Sequence, residues 1–352
     1  MSTVLIGIDL AKSVFQFHGL DAQGKVTLRK HVNRKDFLPF FERMPPGCHV
    51  AMEACGTAHH WGRRLQEMGH RVTLLPAHRV KAYVAPGKKN DANDAAAIAE
   101  AASRPHIQPI PVKSIEQQAV LALHSSRDLL VRQRTALVNA LRGHLAEFGY
   151  VAPKGIEKLP QLLRILETEP LPDPFGSALR PVAEQIARLG KEIDTLTQAI
   201  AAHAKANPLC RVLGGIPGIG PITASRLVAT VPDMRIFPSA RHFAAWLGLC
   251  PRQNSSGGKA KLGRISKTGN VALRCLLVLG ATSLLKLAGG KTPPPGLAWA
   301  SDLLKRKNYR LASVAMANKM ARVVWAVMTS GKIFDPHRWC YSNTAMARQE
   351  NA

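Results

Sequence analysis

Val4-Leu-Ile-Gly-Ile-Asp9 is a short apolar run closed by a carboxylate, and His49-Val-Ala-Met-Glu53 repeats the pattern further along the chain. Apolar runs of this length, rich in β-branched residues, predict buried strands. Between them, Val14 to Leu20 and Lys25 to Arg29 supply two more strands. Asp21-Ala-Gln-Gly24 parts them and has the residues of a hairpin turn. A helix is expected from about Lys35 to Met44, before Pro45-Pro46-Gly47. His59 to Met68 reads as a second helix, and Arg71-Val-Thr-Leu-Leu75 as another buried strand. The order strand, strand, strand, helix, strand, helix, strand predicts an α/β domain with a mixed sheet.

Beyond that sheet, Asn90-Asp91-Ala-Asn-Asp94-Ala-Ala-Ala-Ile-Ala-Glu100 opens a helix. Asn90 suits the N-cap, and the two aspartates fall in the first turn, where the helix dipole favours anions. Capping is the commoner role for such acids. Positions i and i+3 share a face, however, so Asp91 and Asp94 can address one spot. Asp9 and Glu53, at adjacent strand ends, could face them. Four carboxylates so placed would repel one another. Divalent cations relieve that repulsion, and Mg²⁺ favours carboxylate oxygen together with substrate phosphate. A pair of ions ~3.5–4 Å apart would stabilise attacking and leaving oxygens in phosphodiester chemistry.

The rest of the chain is dominated by cations. Its 352 residues carry 48 Lys and Arg against 23 Asp and Glu, a net charge of +25, which points to a nucleic-acid partner. Hydrophobic content of 46% excludes a disordered basic tail. The six cysteines are scattered, without Cys-x-x-Cys pairs or zinc spacing, and read as reduced thiols. The N-terminus passes straight into a strand without a basic-then-apolar leader, so a cytoplasmic, nucleoid-associated location is expected. Val271 to Leu287 is very apolar, but Arg274 and Lys286 interrupt it, which predicts a core helix and no membrane partner.

Ser114 to Phe148 is long, helical and basic, with Arg127, Arg132, Arg134 and Arg142. A second long helix is expected from about Phe175 to Ala206, after the Pro170-Leu-Pro-Asp-Pro174 turn. Its apolar positions Val182, Ile186, Leu189, Ile193, Leu196 and Ile200 alternate in steps of four and three. That is the seam of an antiparallel or an intermolecular coiled coil. Leu213-Gly-Gly-Ile-Pro-Gly-Ile-Gly220 follows, and Gly218-Ile-Gly220 resembles a helix-hairpin-helix turn. Its backbone N–H groups at a helix N-terminus would hold a DNA phosphate.

Ser239 to Leu249 is expected to be helical, and Cys250-Pro-Arg-Gln-Asn-Ser-Ser-Gly-Gly-Lys-Ala-Lys-Leu-Gly-Arg-Ile-Ser-Lys-Thr-Gly-Asn270 comes next. No carboxylate occurs between Asp233 and Asp302. Glycines permit close backbone approach, and Lys259, Lys261, Arg264 and Lys267 can neutralise phosphates. A serine among such cations could attack phosphorus, because the cations stabilise the charge that develops. The plainer reading is a basic loop that touches nucleic acid. Helices from Val271 to Leu287 and Leu311 to Thr329 complete the chain, with a loop at 289–296 between them and a polar tail.

Asp, Glu, Asp, Asp in a strand-rich N-terminal domain resembles the Holliday-junction-resolvase branch of the ribonuclease-H-like fold. With Gly-Ile-Pro-Gly-Ile-Gly and the double-serine segment, the chain is similar to the DEDD transposases of insertion sequences, the "IS one-ten" family. Met52-Glu-Ala-Cys-Gly-Thr-Ala-His-His-Trp61 points to the "IS eleven-eleven" subgroup. The likeness runs from Ile6 to about Phe334. It implies a ribonuclease-H-like DEDD domain at 1–113, a basic helical coiled-coil region at 114–206, a mostly α domain holding the serine at 207–340 and a tail at 341–352. It further implies a recombinase that cuts and rejoins double-stranded DNA at element ends and target. The implied cofactor is Mg²⁺ or Mn²⁺, held by Asp9, Glu53, Asp91 and Asp94. Ser256 matches the nucleophile, with Ser255 beside it as the rival, while His59 and His60 carry no catalytic assignment. A bridge RNA and a dimeric or tetrameric assembly are implied partners.

Two other classes compete. A metal-only, junction-resolvase-like endonuclease would not need Ser256. A non-enzymatic nucleic-acid scaffold would need none of the four acids.

Overall fold

The computed structural model describes residues 3–84, 91–254, 261–290, 292 and 295–335. The chain divides into two compact units, Met1–Gln118 and Ala119–Ala352. The first carries β1 (Leu5–Asp9), β2 (Val14–Leu20), β3 (Val26–Asn33), α1 (Phe37–Glu42), β4 (His49–Glu53), α2 (Ala58–Glu67), β5 (Arg71–Leu75), α3 (Ala77–Val80) and α4 (Asp91–Ala102). Its five strands lie in the order β3-β2-β1-β4-β5. The first three run antiparallel, and β4 and β5 continue from β1 in parallel. The expected mixed sheet is present, and each expected strand and helix lies within a few residues of its position.

The turn between β2 and β3 is tied by Asp21, whose Oδ1 accepts from the Gln23 and Lys25 amides at 3.0 and 2.8 Å. Gly24 then takes the left-handed conformation, φ 80°, open to glycine without a steric penalty. Period-two alternation divides the sheet residues between two cores. Ile6, Ile8, Phe15, Phe17, Val50 and Met52 face α1 and α2, where they meet Phe37, Phe41, Trp61 and Leu65. Phe15 and Phe37 meet edge to face, with centroids 5.0 Å apart, a geometry favoured by the ring quadrupoles. Leu5, Ala51 and Leu75 face the other way, onto Ala97, Ile98 and Ala101 of α4.

The second unit is helical. The helix α5 (Ile115–Glu147) opens within the first unit and runs on into the second, where α6 (Leu159–Thr168), α7 (Phe175–Ala206), α8 (Pro208–Gly214), α9 (Pro221–Thr230) and α10 (Ala240–Trp246) follow. After a two-stranded antiparallel ribbon, β6 (Pro251–Gln253) and β7 (Leu262–Ile265), come α11 (Val271–Ala288), α12 (Ala298–Arg306) and α13 (Tyr309–Ser330). The helices α5 and α7 run antiparallel. Phe148, just past the end of α5, stacks on Phe175 at the start of α7, and Arg127 Nε donates to Thr197 Oγ1 at 2.7 Å. The heptad-like seam is therefore buried within the chain. Ile186 packs with Val138, Leu141 and Leu145 of α5 and Leu162 of α6. Neither α6 nor α12 is expected from the sequence, because each is a short amphipathic segment hidden among prolines.

A larger core joins Leu273, Leu277, Ala281 and Leu285 of α11 to Met316, Ala317, Met320, Ala321 and Val324 of α13. Both helices are long and apolar enough to cross a membrane by length and composition. The inner face of α11 nevertheless carries buried Arg274.

Candidate active site

The acids come first. The parallel register of β1 and β4 runs from Leu5↔His49 to Ile8↔Met52, and continued by one residue it sets Asp9 opposite Glu53. Glu53 in turn lies beside Leu75 of β5. By alternation, Asp9 shares a sheet face with Leu5 and Gly7, and Glu53 shares it with Ala51. That is the face covered by α4, whose first turn carries Asp91 and Asp94.

Gly7 makes the close approach of α4 possible. A Cβ placed on it would fall 2.5 Å from the Ala95 carbonyl oxygen and 2.5 Å from the Ala99 nitrogen. Asp94 directly precedes Ala95, so the contact at Gly7 fixes the acidic turn near the end of β1. The combined field of the strand acids is felt at Cys55. Burial, then Glu53, then Asp9 raise its thiol pKa. Two residues further on, Thr57 has φ 71°, a left-handed conformation that costs a β-branched residue ~1–3 kcal/mol. Nothing in the sequence marks Thr57.

Carboxylate oxygens are the donors that hard divalent cations take, so the donor chemistry of this set suits a hard divalent cation. Among the described residues, no three His, Cys, Asp or Glu side chains are grouped closely enough to hold an ion. Asp91 is exposed while the other three are half-buried.

The serine segment is the second element. Ser255, Ser256 and Lys259 lie outside the described residues, as do Asn90, Lys88 and Lys89. What is described is the stem. Pro251 pairs with Ile265 and Gln253 with Leu262, and the Asn254 amide donates to Lys261 O at 2.8 Å. Lys261, Arg264 and Lys267 are exposed along it, as phosphate contacts require.

The stem is anchored from below. Buried Arg274 donates through Nη1 to Leu247 O and Thr268 O, both at 2.9 Å. Gly269, at φ 76°, passes so close to the Trp246 carbonyl that a Cβ would fall 1.7 Å from it. Asn270 Oδ1 caps α11 by accepting from the Leu273 amide at 2.9 Å. Ser266 to Asn270 thus works largely as a socket, a role its charge alone does not mark. Lys267 itself is left-handed, φ 56°.

The Gly218-Ile-Gly220 turn joins α8 to α9, as a helix-hairpin-helix reading requires. Gly218 has φ 80°, and a Cβ there would strike Met320 Cε at 2.8 Å and Gly280 O at 3.1 Å. Part of its glycine requirement is therefore packing on α11 and α13. Gly220 is the N-cap of α9 and supplies no side chain, so the first-turn amides of Ile222 and Thr223 have no side-chain cap. A cavity of about 380 Å³ lies against this turn.

The helix arginines are not uniformly available to a ligand. Arg142 Nη2 donates to Gly155 O at 2.7 Å, Arg127 holds Thr197, and Arg132 is exposed. Arg226, buried on α9, pairs with Asp128 of α5 at 2.7 Å. Next to it, the buried Ser225 hydroxyl lies between His124 Nε2 at 3.1 Å and His203 Nδ1 at 3.2 Å. Burial, then Arg226, lower the His124 pKa to about 4.

His59 is equally structural. Its Nδ1 accepts from the Lys113 amide at 3.2 Å. Burial, then Lys113 and Arg63, lower its pKa to about 4. His60 lies edge-on to Trp61 at 4.8 Å.

Two family models match the chain. Residues 6–149 match the DEDD transposase model of the IS110 type, and residues 210–292 match the "Transposase IS116/IS110/IS902 family". The chain is 44% identical to the "Probable family 20 transposase" of Pseudomonas aeruginosa over 96% of its own length and 100% of the relative's. It is 41% identical to the "Transposase for insertion sequence element IS1111A" of Coxiella burnetii, covering 92% and 89% of the two chains. A Yersinia enterocolitica transposase for element IS1328 is 37% identical over 95% and 99%. The paired acids of β1 and β4 fall within the first matched region and the serine segment within the second, and the chain belongs to the IS116/IS110/IS902 family of transposases.

Proposed function

We propose that this chain is the recombinase of an insertion sequence, cutting and rejoining double-stranded DNA at element ends and target with a carboxylate site and a serine nucleophile. The observation that carries this reading is the placement of Asp9 and Glu53 as neighbours on adjacent parallel strands, on the face covered by the helix of Asp91 and Asp94. The strand order β3-β2-β1-β4-β5, with an antiparallel half and a parallel half, supports a ribonuclease-H-like description of the domain.

Mg²⁺ or Mn²⁺, when bound by these four acids, would supply Lewis-acid stabilisation of phosphate oxygens. The residues themselves perform the remaining tasks. Ser256 Oγ forms a bond to phosphorus as the bond from phosphorus to a deoxyribose oxygen breaks, leaving a phosphoserine link that the second DNA end later displaces. Lys261, Arg264 and Lys267 on the stem neutralise the strand. The first-turn amides of α9, after Gly218 and Gly220, take a further phosphate.

Sequence choice is assigned to a bridge RNA that pairs with both DNAs. Cations are spread over both units, from Lys81 to Arg132 to Lys267, and aromatic residues are only 5% of the chain. Backbone contacts of this kind carry little sequence information. The complex acts as a dimer or tetramer in the bacterial cytoplasm, at the nucleoid.

Trapping the covalent intermediate tests the nucleophile. Ser256→Ala should abolish the protein–DNA adduct on denaturing gels, and Ser255→Ala should retain it. The reverse pattern reassigns the nucleophile to Ser255. Cleavage undiminished in both variants favours a metal-only endonuclease. Guidance is tested by assaying ribonuclease-treated protein with and without the element's non-coding transcript. Site-specific recombination by RNA-free protein defeats the RNA assignment.

A further inference from the structure

We propose that a groove in the second unit holds an unpaired DNA nucleotide beside the strand break. The groove encloses about 1000 Å³ between the β6–β7 ribbon and α13. Small-ligand sites run from ~300 to ~1000 Å³, so the groove has room for a nucleotide. Trp299 of α12 and Trp325 of α13 contribute aromatic walls. Trp325 is held in place by its indole, which donates to Phe237 O at 3.1 Å. Lys319 Nζ lies over the Trp299 ring, 4.4 Å from its centre, so a cation–π pair forms part of the groove wall.

Charge selects the occupant. Arg264, Lys319 and Arg322 line the groove with Lys332, and Asp335 is the one carboxylate among its described lining residues. An apolar floor with aromatic walls and a cationic rim matches a nucleotide, whose base stacks on aromatic rings while its phosphate meets cations. Position selects DNA over RNA. Pro251 and Arg264, on the groove wall, belong to the stem of the serine segment. Ser256 follows Pro251 by five residues, a reach of at most ~18 Å. The break is therefore tethered within a few nucleotides of this groove, and strand exchange requires bases there to leave the duplex.

The inference rests on the recombinase reading, and its test does not require cleavage. Full-length Ser256→Ala protein is bound to a duplex of the element end carrying a one-nucleotide gap, with 5-iododeoxyuridine scanned across the flanking positions. Irradiation followed by peptide mapping should couple the base to Trp299 or Trp325. Trp299→Ala should weaken binding of the gapped duplex by about 5- to 150-fold, the range of one base–aromatic stack, while a continuous duplex is bound almost unchanged. Lys319→Gln, which leaves the indole in place, should lower the gapped-duplex affinity in the same selective way. Melting curves show whether Trp299→Ala is folded. Should it not be, Lys319→Gln and the crosslink map decide.

Crosslinks confined to other elements, or obtained only from iodouridine in an RNA transcript, would overturn the assignment. So would equal weakening of both duplexes, or self-association of the protein that Trp299→Ala abolishes, which would make a second copy the occupant. A covalent adduct persisting in Ser256→Ala would refute the nucleophile while leaving the crosslink result to stand on its own.

Discussion

Ala99 of α4 occupies the space that a side chain on Gly7 would need: a Cβ on Gly7 falls 2.5 Å from the Ala99 nitrogen and 2.8 Å from its Cβ. Helix and strand therefore meet backbone to backbone, two residues before Asp9 and five after Asp94. Gly7→Ala should force them apart, at an overpacking cost of ~1–3 kcal/mol. For a unit of this size that is a fall in melting temperature of very roughly 4–20 °C, with loss of transposition as the acidic turn is displaced. Gly56 is the control, since a Cβ there meets nothing within 4 Å, and Gly56→Ala should melt near wild type. Equal melting of both variants would refute the contact.

Asp9→Asn and Glu53→Gln each remove one member of a like-charged pair. In chelator both variants should keep the wild-type fold, because each swap is isosteric and Asp9 and Glu53 are only half-buried. Added Mg²⁺ should raise the melting temperature of wild type more than that of either variant. Strand exchange should be lost in both. An identical Mg²⁺ response in all three proteins would remove the acids from the metal site.

Arg274 is buried, with two carbonyls on one guanidinium nitrogen. Hydrogen bonds from a charged donor are worth ~1.5–3 kcal/mol each. Arg274→Met should therefore destabilise the second unit by several kcal/mol and release the Ser266–Asn270 socket. Hydrogen exchange at the Lys267 amide, which donates to Gly248 O at 3.2 Å, reports the release. Unchanged protection there would show that the glycines hold the socket without the arginine.

His59 and His124 both have folded-state pKa values lowered to about 4, chiefly by burial. The unfolded chain titrates near 6.5 and so binds more protons than the folded chain between those limits. Stability is then full above about pH 6.5 and falls as pH drops toward 4. His124→Leu should flatten this part of the melting-temperature profile, and Ser225 would retain His203 as a partner. A profile as steep as that of wild type would show that other groups govern acid sensitivity.

Much of the first unit is legible in the sequence because its strands are short apolar runs whose ends are marked by turn residues and acids. Asp21 and Gly24 predict their hairpin from local chemistry alone. The serine segment is legible as a basic, glycine-rich stretch, and the long helices follow from their periodicity. Pairing is a different matter. Whether the Val182–Ile200 seam meets another copy or its own chain is not encoded in the spacing, since both partners present the same apolar stripe. The fold decides it by returning α7 along α5. Nor could the sequence reveal that Gly7 is a contact, that Gly218 is packed against Met320, or that Arg274 is a buried clamp rather than another phosphate-binding cation. Local propensity and charge are properties of neighbouring residues and survive in the unfolded chain. Close backbone approach and burial of a cation depend on residues distant in sequence, and come into being only when the core closes around them.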